Sequence, residues 1–156
     1  MAKIKSLLLI LLFSSAFISS CEKDQPFEPF DPEKQFAKDE QLIKDFIAAN
    51  NILNTLNDRG VYYSIIAPGT GNVVYQSNTS ITVKYTGRLL NGQVFDSNPS
   101  IDFLLGQLIP GWQIGIPKIQ KGGKIRLLVP SYYGYGPNPR SGIPANSVLY
   151  FDIELL

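Results

Sequence analysis

The sequence of 156 residues contains no histidine and a single cysteine, Cys21. Without histidine, the chain cannot form a catalytic triad of the usual serine or cysteine hydrolase type. A single cysteine has no disulfide partner within the chain and, without histidine, leaves no usual set of zinc ligands. Ser/Lys hydrolase motifs and a glycine-rich phosphate-binding loop are also missing. Any chemistry must therefore come from other groups.

The net charge is small, because 14 Lys and Arg residues are nearly balanced by 13 Asp and Glu residues. The basic residues do not cluster, so the sequence provides no surface for neutralising phosphates, and we expect no nucleic-acid partner. A carboxylate pair of the glycosidase kind is not excluded by number. The candidate acids, however, mostly alternate outward along strands or sit at turns; they are Asp96, Asp102, Asp152 and Glu154.

The N-terminus has the pattern of an export signal. Lys3 and Lys5 precede an apolar run, residues 7–18, that is too short to span a bilayer. Small residues then lead to Cys21, which resembles a bacterial lipobox. We expect residues 1–20 to be a signal peptide and Cys21 to carry lipid, although an ordinary secretory signal with a chance cysteine is the alternative. The expected location is the cell envelope, in the outer membrane of a Gram-negative bacterium, facing the periplasm or the surface.

Residues 21–31 contain Pro26 and Pro29 and should form a semi-rigid tether. Asp31-Pro32-Glu33 then supplies a helix N-cap, a proline at the first helical position and an acid in the first turn. The spacing predicts an amphipathic helix over residues 32–50, followed by a linker to residue 59. Its apolar stripe either docks on the following domain or forms a homodimer interface.

From residue 60 to 156 the pattern is that of strands. Three segments alternate apolar and polar residues with a period of two: 81–86, 124–129 and 149–155. The segment 110–118 is the one short stretch with helical character. One short helix against a mostly antiparallel sheet predicts an α+β domain.

The segment 84–97 reads as two strands joined at Asn91-Gly92, a dipeptide that favours a type I′ hairpin. It presents Tyr85 on one strand, and Phe95 followed at once by Asp96 on the other. An isolated carboxylate beside aromatics, in a chain without histidine, suggests a site that works by removing water and placing hydrogen bonds. Core packing is the alternative for any one of the aromatic residues, which are Tyr85, Phe95, Phe103, Trp112, Tyr135 and Phe151.

Six short motifs occur in a fixed order: Tyr85-Thr86-Gly87, Val94-Phe95-Asp96-Ser97, Ile109-Pro110-Gly111-Trp112, Tyr135-Gly136, Gly142-Ile143-Pro144 and the closing segment 150–156. In order and spacing they resemble the FKBP-type peptidyl-prolyl cis-trans isomerases, over roughly residues 60–156. The resemblance implies a five- or six-stranded antiparallel sheet half-wrapped around one short helix. It also implies rotation of X-Pro bonds in polypeptides, without metal or other cofactor.

The resemblance assigns a role to each matching residue. Trp112 would form the floor of a proline pocket, and Asp96, Phe95 and Tyr135 would act on the substrate. The walls and rim would come from Tyr85, Phe103, Leu108, Ile109, Phe151 and, in an overhanging loop, Ile143. Ile101 departs from the family pattern, in which an aromatic is common, and the segment 106–109 looks short.

The main expectation is an isomerase that assists folding of exported proteins. The alternatives are an FKBP-like chaperone or scaffold with little catalysis, or a lipid-anchored adhesin or assembly subunit. Retention of the whole aromatic set argues for the enzyme, because a degenerate domain has no physical need for that pocket.

Overall fold

The computed structural model describes residues 29–156, so the predicted signal peptide, Cys21 and most of the tether lie outside the described residues. Residues 31–156 form one compact unit. The helices are α1 (Pro32–Ala49) and α2 (Pro110–Gly115), and the strands are β1 (Leu56–Asp58), β2 (Val61–Ala67), β3 (Ser80–Leu89), β4 (Val94–Leu104), β5 (Lys124–Val129) and β6 (Leu149–Leu155). Short 3₁₀ helices occupy Leu105–Gln107, Ile116–Lys118 and Ser131–Tyr133. No described helix is long and apolar enough to cross a membrane.

The six strands form one antiparallel sheet in the order β1-β2-β5-β6-β3-β4. The predicted α+β class is therefore confirmed. The alternating strands bury one face: along β6, Leu149, Phe151, Ile153 and Leu155 are buried while the residues between them are half-buried. This face packs on α2 and forms the main hydrophobic core, which also includes Trp112.

Helix α1 covers part of the opposite face. Its N-cap is Asp31, whose Oδ1 accepts hydrogen bonds from the backbone N–H groups of Glu33 and Lys34 at 2.9 and 3.1 Å. Ile43 of α1 is fully buried and packs in a second cluster with Leu128 and Val148. Leu128 points away from the main core because neighbouring strand residues alternate between faces. The helix thus docks on the domain, while a homodimer through residues 32–50 stays a prediction.

Two local predictions are wrong: the linker expected to reach residue 59, and the type I′ turn expected at Asn91-Gly92. The segment expected to be a linker contains β1, which pairs with β2 although Leu56 is exposed and gives no burial pattern. The type I′ geometry occurs between these strands, where Arg59 and Gly60 have φ values of 55° and 92°. A Cβ on Gly60 would lie 2.2 Å from the ring of Phe36, so this position requires glycine.

The turn at Asn91-Gly92 has a different form. The N–H of Gly92 donates to the Leu89 carbonyl at 2.9 Å, and the N–H of Leu89 donates to the Gln93 carbonyl at 2.9 Å. Gly92 has a φ of 89°, but Asn91 is not among the described residues with positive φ. The loop is therefore one residue longer than a type I′ turn, and the register of β3 and β4 shifts beside it at Gly87 and Arg88.

Candidate active site

A pocket of about 270 Å³ opens between the sheet and α2. Most of the residues predicted for the site come together here. The lining consists of Tyr85, Phe95, Asp96, Phe103, Gln107, Leu108, Ile109, Trp112, Tyr135 and Phe151. Gln107 is the one member that the sequence did not predict, because it lies in a 3₁₀ turn whose residues carry no periodic signal.

Trp112 forms the floor of the pocket and is only 4% exposed. Pro110 begins α2, and Gly111 and Gly115 let the helix approach β5 closely, since a Cβ on them would lie 2.4 Å from Val129 and 2.5 Å from Leu127. The indole meets the rings of Tyr85 and Phe151 edge to face, with centroids 5.2 and 5.3 Å apart. Such contacts stabilise aromatic pairs by about 0.5–1.5 kcal/mol beyond area burial. The floor is therefore fixed by packing.

The indole N–H of Trp112 is buried and has no hydrogen-bond partner among the described residues. A buried donor without a partner costs about 1–3 kcal/mol. This donor lies on the residue at the base of the pocket.

Phe95 and Phe151 form one wall, with ring centroids 5.6 Å apart in an edge-to-face arrangement. Gly87 on β3 makes this possible. A Cβ at Gly87 would lie 2.6 Å from the Phe95 ring and 2.8 Å from the Phe151 ring. The glycine of the Tyr85-Thr86-Gly87 motif is thus explained by the space that the two rings occupy.

Asp96 and Tyr85 are joined across β3 and β4. The Tyr85 hydroxyl donates a hydrogen bond of 2.6 Å to Oδ2 of Asp96. Burial raises the pKa of Tyr85 well above its usual value, and the neighbouring Asp96 carboxylate adds to the increase. The phenol therefore stays protonated and keeps one carboxylate oxygen in place at the pocket edge.

The rim on the α2 side is formed by Leu108 and Ile109, which precede the helix. The Leu108 carbonyl accepts a 2.7 Å hydrogen bond from Nε2 of Gln113, and the Ile109 carbonyl accepts from the N–H of Trp112 at 3.0 Å. The N–H of Ile109 finds no acceptor within the described part of the chain. This backbone donor belongs to a residue that lines the pocket.

Tyr135 closes the opposite rim, and the Arg140 guanidinium lies 5.2 Å from the centre of its ring. Ile143, expected to overhang the site, does not line the pocket: it is buried in the main core, and its backbone bridges Arg140. A Cβ on its neighbour Gly142 would lie 3.6 Å from Cβ of Phe95, so the loop still borders the wall. Residues 29–156 contain no group of three or more His, Cys, Asp and Glu residues that could hold a metal ion.

Comparison with known proteins identifies the family. The model of the FKBP-type peptidyl-prolyl cis-trans isomerase family matches residues 71–156. The FkpA isomerase of Buchnera aphidicola (subspecies Schizaphis graminum) is 48% identical over 101 residues, which cover 62% of this chain and 40% of the relative. FK506-binding protein 1 of Saccharomyces cerevisiae is 45% identical over 98 residues, covering 58% of this chain and 86% of that protein.

The crystal structure of FkpA from Escherichia coli superposes with a TM-score of 0.68 at 34% identity, covering 80% of this chain and 61% of that one. The chain thus spans well under two thirds of the length of the FkpA relatives. The family model nevertheless covers more than half of the sequence and includes the whole pocket. This chain belongs to the family of FKBP-type peptidyl-prolyl cis-trans isomerases.

Proposed function

We propose that the protein catalyses cis–trans isomerisation of X-Pro bonds in polypeptides, and that the aromatic pocket over Trp112 is its active site. The observation that carries this proposal is the combination of an indole floor, ring walls and few polar groups. A proline ring fits such a surface through apolar contact, while the polar groups at the rim can bind the flanking peptide. The pocket needs no titrating imidazole or thiolate, which the described residues do not contain.

Isomerisation is slow because rotation breaks amide resonance, with a barrier of about 18–20 kcal/mol. Unaided X-Pro exchange takes roughly 10–100 s at 25 °C. The planar amide is more charge-separated than the twisted one. Water therefore stabilises the planar ground state more than it stabilises the twisted transition state. Binding among Tyr85, Phe95 and Trp112 would remove that water and lower the barrier. Each 1.36 kcal/mol gained corresponds to about a tenfold increase in rate.

Hydrogen bonds would add preorganised stabilisation of the twisted amide. The N–H of Ile109 and the hydroxyl of Tyr135, both on residues that line the pocket, would donate to carbonyl oxygens of the bound peptide. Asp96 would act as an electrostatic and positioning group near the rotating carbonyl. It is poorly placed to act as a general base, because one of its oxygens already accepts a hydrogen bond from the Tyr85 hydroxyl.

A protease-coupled assay on Ala-Xaa-Pro-Phe peptides tests this proposal. In this assay the protease cleaves only the trans isomer, so the slow phase reports the isomerisation rate. The full mature protein should accelerate that phase in proportion to its concentration. A rate equal to the uncatalysed one would refute the enzyme and favour a binding module.

We further propose that the domain works at the cell envelope, on exported polypeptides, held to a membrane by lipid on Cys21. The support is in the sequence: a basic N-terminus, the apolar run 7–18 and small residues before the single cysteine. Two or more acyl chains would give a far firmer membrane attachment than one. Mass spectrometry of the mature N-terminus should find acyl groups on Cys21, and an unmodified cysteine would refute the anchor.

A further inference from the structure

Helix α1 contains a buried carboxylate that the proposed mechanism does not use. Asp39 is 0% exposed, and within residues 29–156 no Lys or Arg forms an ion pair with it. Removing a carboxylate from water is costly unless hydrogen bonds replace the lost hydration. A helix that only had to dock could carry an apolar residue here, so the acid needs its own explanation.

The hydrogen bonds of Asp39 provide that explanation. Its Oδ2 accepts from the backbone N–H of Ser131 at 2.8 Å and from the Ser131 hydroxyl at 2.6 Å. Its Oδ1 accepts from Nε2 of Gln35 at 2.6 Å. Ser131 begins the 3₁₀ helix Ser131–Tyr133, and the preceding Pro130 offers no side-chain cap. A residue 92 positions away in sequence therefore caps this helix.

Ser131 in turn holds the backbone around Tyr135. Its carbonyl accepts hydrogen bonds from the N–H groups of Gly134 at 2.9 Å and Gly136 at 2.8 Å, one on each side of Tyr135. The Gly136 carbonyl accepts from the N–H of Asn146 at 2.8 Å. The N–H groups of both residues that flank Tyr135 are thus hydrogen-bonded to the residue that Asp39 fixes.

Other contacts account for the docking of α1. Ile43 is fully buried against Leu128 and Val148. Phe36 meets the rings of Tyr132 and Tyr133 at centroid distances of 6.3 and 6.1 Å. These apolar contacts stabilise the interface without the carboxylate. The specific effect of Asp39 is on the position of Ser131.

We propose that Asp39 is a positioning residue of the active site: by fixing Ser131 it holds the Tyr135 hydroxyl at the rim of the proline pocket. This inference rests on the proposed isomerase function. It makes α1 part of the catalytic unit, although the helix lies outside the segment that matches the family model.

The test compares Asp39→Ala with Ile43→Ala in the mature protein, because both side chains are fully buried in the same helix and Asp39 is the one that is hydrogen-bonded to Ser131. Amide hydrogen exchange at Gly134 and Gly136 reports the anchoring directly. We expect both amides to exchange faster in Asp39→Ala than in Ile43→Ala, and Asp39→Asn, which keeps one acceptor oxygen, to restore much of the protection.

Catalysis is compared in a double-mutant cycle with Tyr135→Phe. Asp39→Ala should lower kcat/KM about tenfold, the scale expected for coupled residues. In the Tyr135→Phe background the same substitution should have little further effect, because the hydroxyl it positions is gone. If Asp39→Ala does not fold, Ser131→Ala removes only the 2.6 Å hydroxyl donor and should show the same pattern more weakly.

The outcomes separate the two proposals. Unchanged exchange at Gly134 and Gly136 in Asp39→Ala would overturn the anchoring. Losses in kcat/KM that simply add to that of Tyr135→Phe, or that Ile43→Ala matches at equal stability, would overturn the positioning role. A wild-type protein that does not accelerate isomerisation would refute the proposed function, and with it the catalytic part of this inference, whatever the exchange rates show.

Discussion

The hydroxyl of Tyr85 lies 2.6 Å from Oδ2 of Asp96, joining two neighbouring strands at the edge of the aromatic pocket. The same hairpin contains a second bond of this kind outside the pocket, from the Thr82 hydroxyl to Oδ1 of Asp102, also 2.6 Å. Both pairs join β3 to β4 through a hydroxyl and a carboxylate, but the second pair is exposed. The Thr82–Asp102 pair is therefore a matched control for the Tyr85–Asp96 pair.

Tyr85→Phe should lower kcat/KM by about fivefold to tenfold, since a side-chain hydrogen bond contributes on the order of 1 kcal/mol. The ring remains against Trp112, so the loss reports the hydroxyl and the placement of Asp96. Thr82→Val removes the control bond and should leave kcat/KM unchanged. Steady-state kinetics on one Ala-Xaa-Pro-Phe peptide measures both, and equal losses would show that the pocket bond has no special role.

Gly87→Ala should damage the pocket, because its Cβ would lie within 2.8 Å of both Phe95 and Phe151. We expect kcat/KM to fall at least tenfold as the rings shift, together with roughly 1–3 kcal/mol of stability lost to overpacking. Gly122→Ala is the control: it is strained by a φ of 77° but has no neighbour within 4 Å. It should lose stability with kcat/KM intact, whereas equal kinetic losses in both variants would contradict the packing argument.

Trp112 is the only tryptophan of the chain, so its fluorescence reports the pocket floor directly. Titration with a proline-containing peptide should change the emission, because the bound ring would cover the indole. Ala substitution of Phe95, which pairs with Phe151 beside the indole, should weaken the peptide affinity about tenfold or more by removing one wall. Val94→Ala, at an exposed site next to Phe95, should leave the peptide affinity unchanged. Emission that stays constant at saturating peptide would exclude binding over Trp112.

Alkaline pH should destabilise the fold through Tyr85. Its pKa is raised in the folded state, mainly by burial, so its contribution to stability is complete below the unfolded pKa of about 10. That contribution is lost as the pH rises above this value, because the unfolded chain releases the proton first. Urea unfolding between pH 8 and 11 should therefore show a smaller alkaline loss in Tyr85→Phe than in the wild type. Equal losses in the two proteins would contradict this assignment.

Local sequence signals predicted much of the fold. The cap at Asp31 and the apolar spacing after it located α1, and period-two alternation located β3, β5 and β6. These signals work because each depends on a repeat or a cap within a few residues. The pocket residues were predicted through the family resemblance, and all but Ile143 line the cavity.

What the sequence did not reveal either carries no side-chain pattern or depends on contacts between distant segments. Strand β1 exists through backbone pairing with β2, so its exposed side chains carry no pattern. The type I′ turn is at Arg59-Gly60, where Phe36 of α1 occupies the space that a side chain would need. Asp39 reads as an ordinary polar residue of a helix until Ser131 is placed beside it. No local window contains both partners of such a contact.

The most direct test of the account is the isomerisation rate of the wild-type protein beside Asp96→Val and Asp102→Val in the protease-coupled assay. The wild type and Asp102→Val should accelerate the slow phase equally. Asp96→Val should lose at least tenfold in kcat/KM, about 1.4 kcal/mol of transition-state stabilisation. A wild-type rate no faster than the uncatalysed reaction, or an Asp96→Val variant as active as Asp102→Val, would contradict catalysis in this pocket.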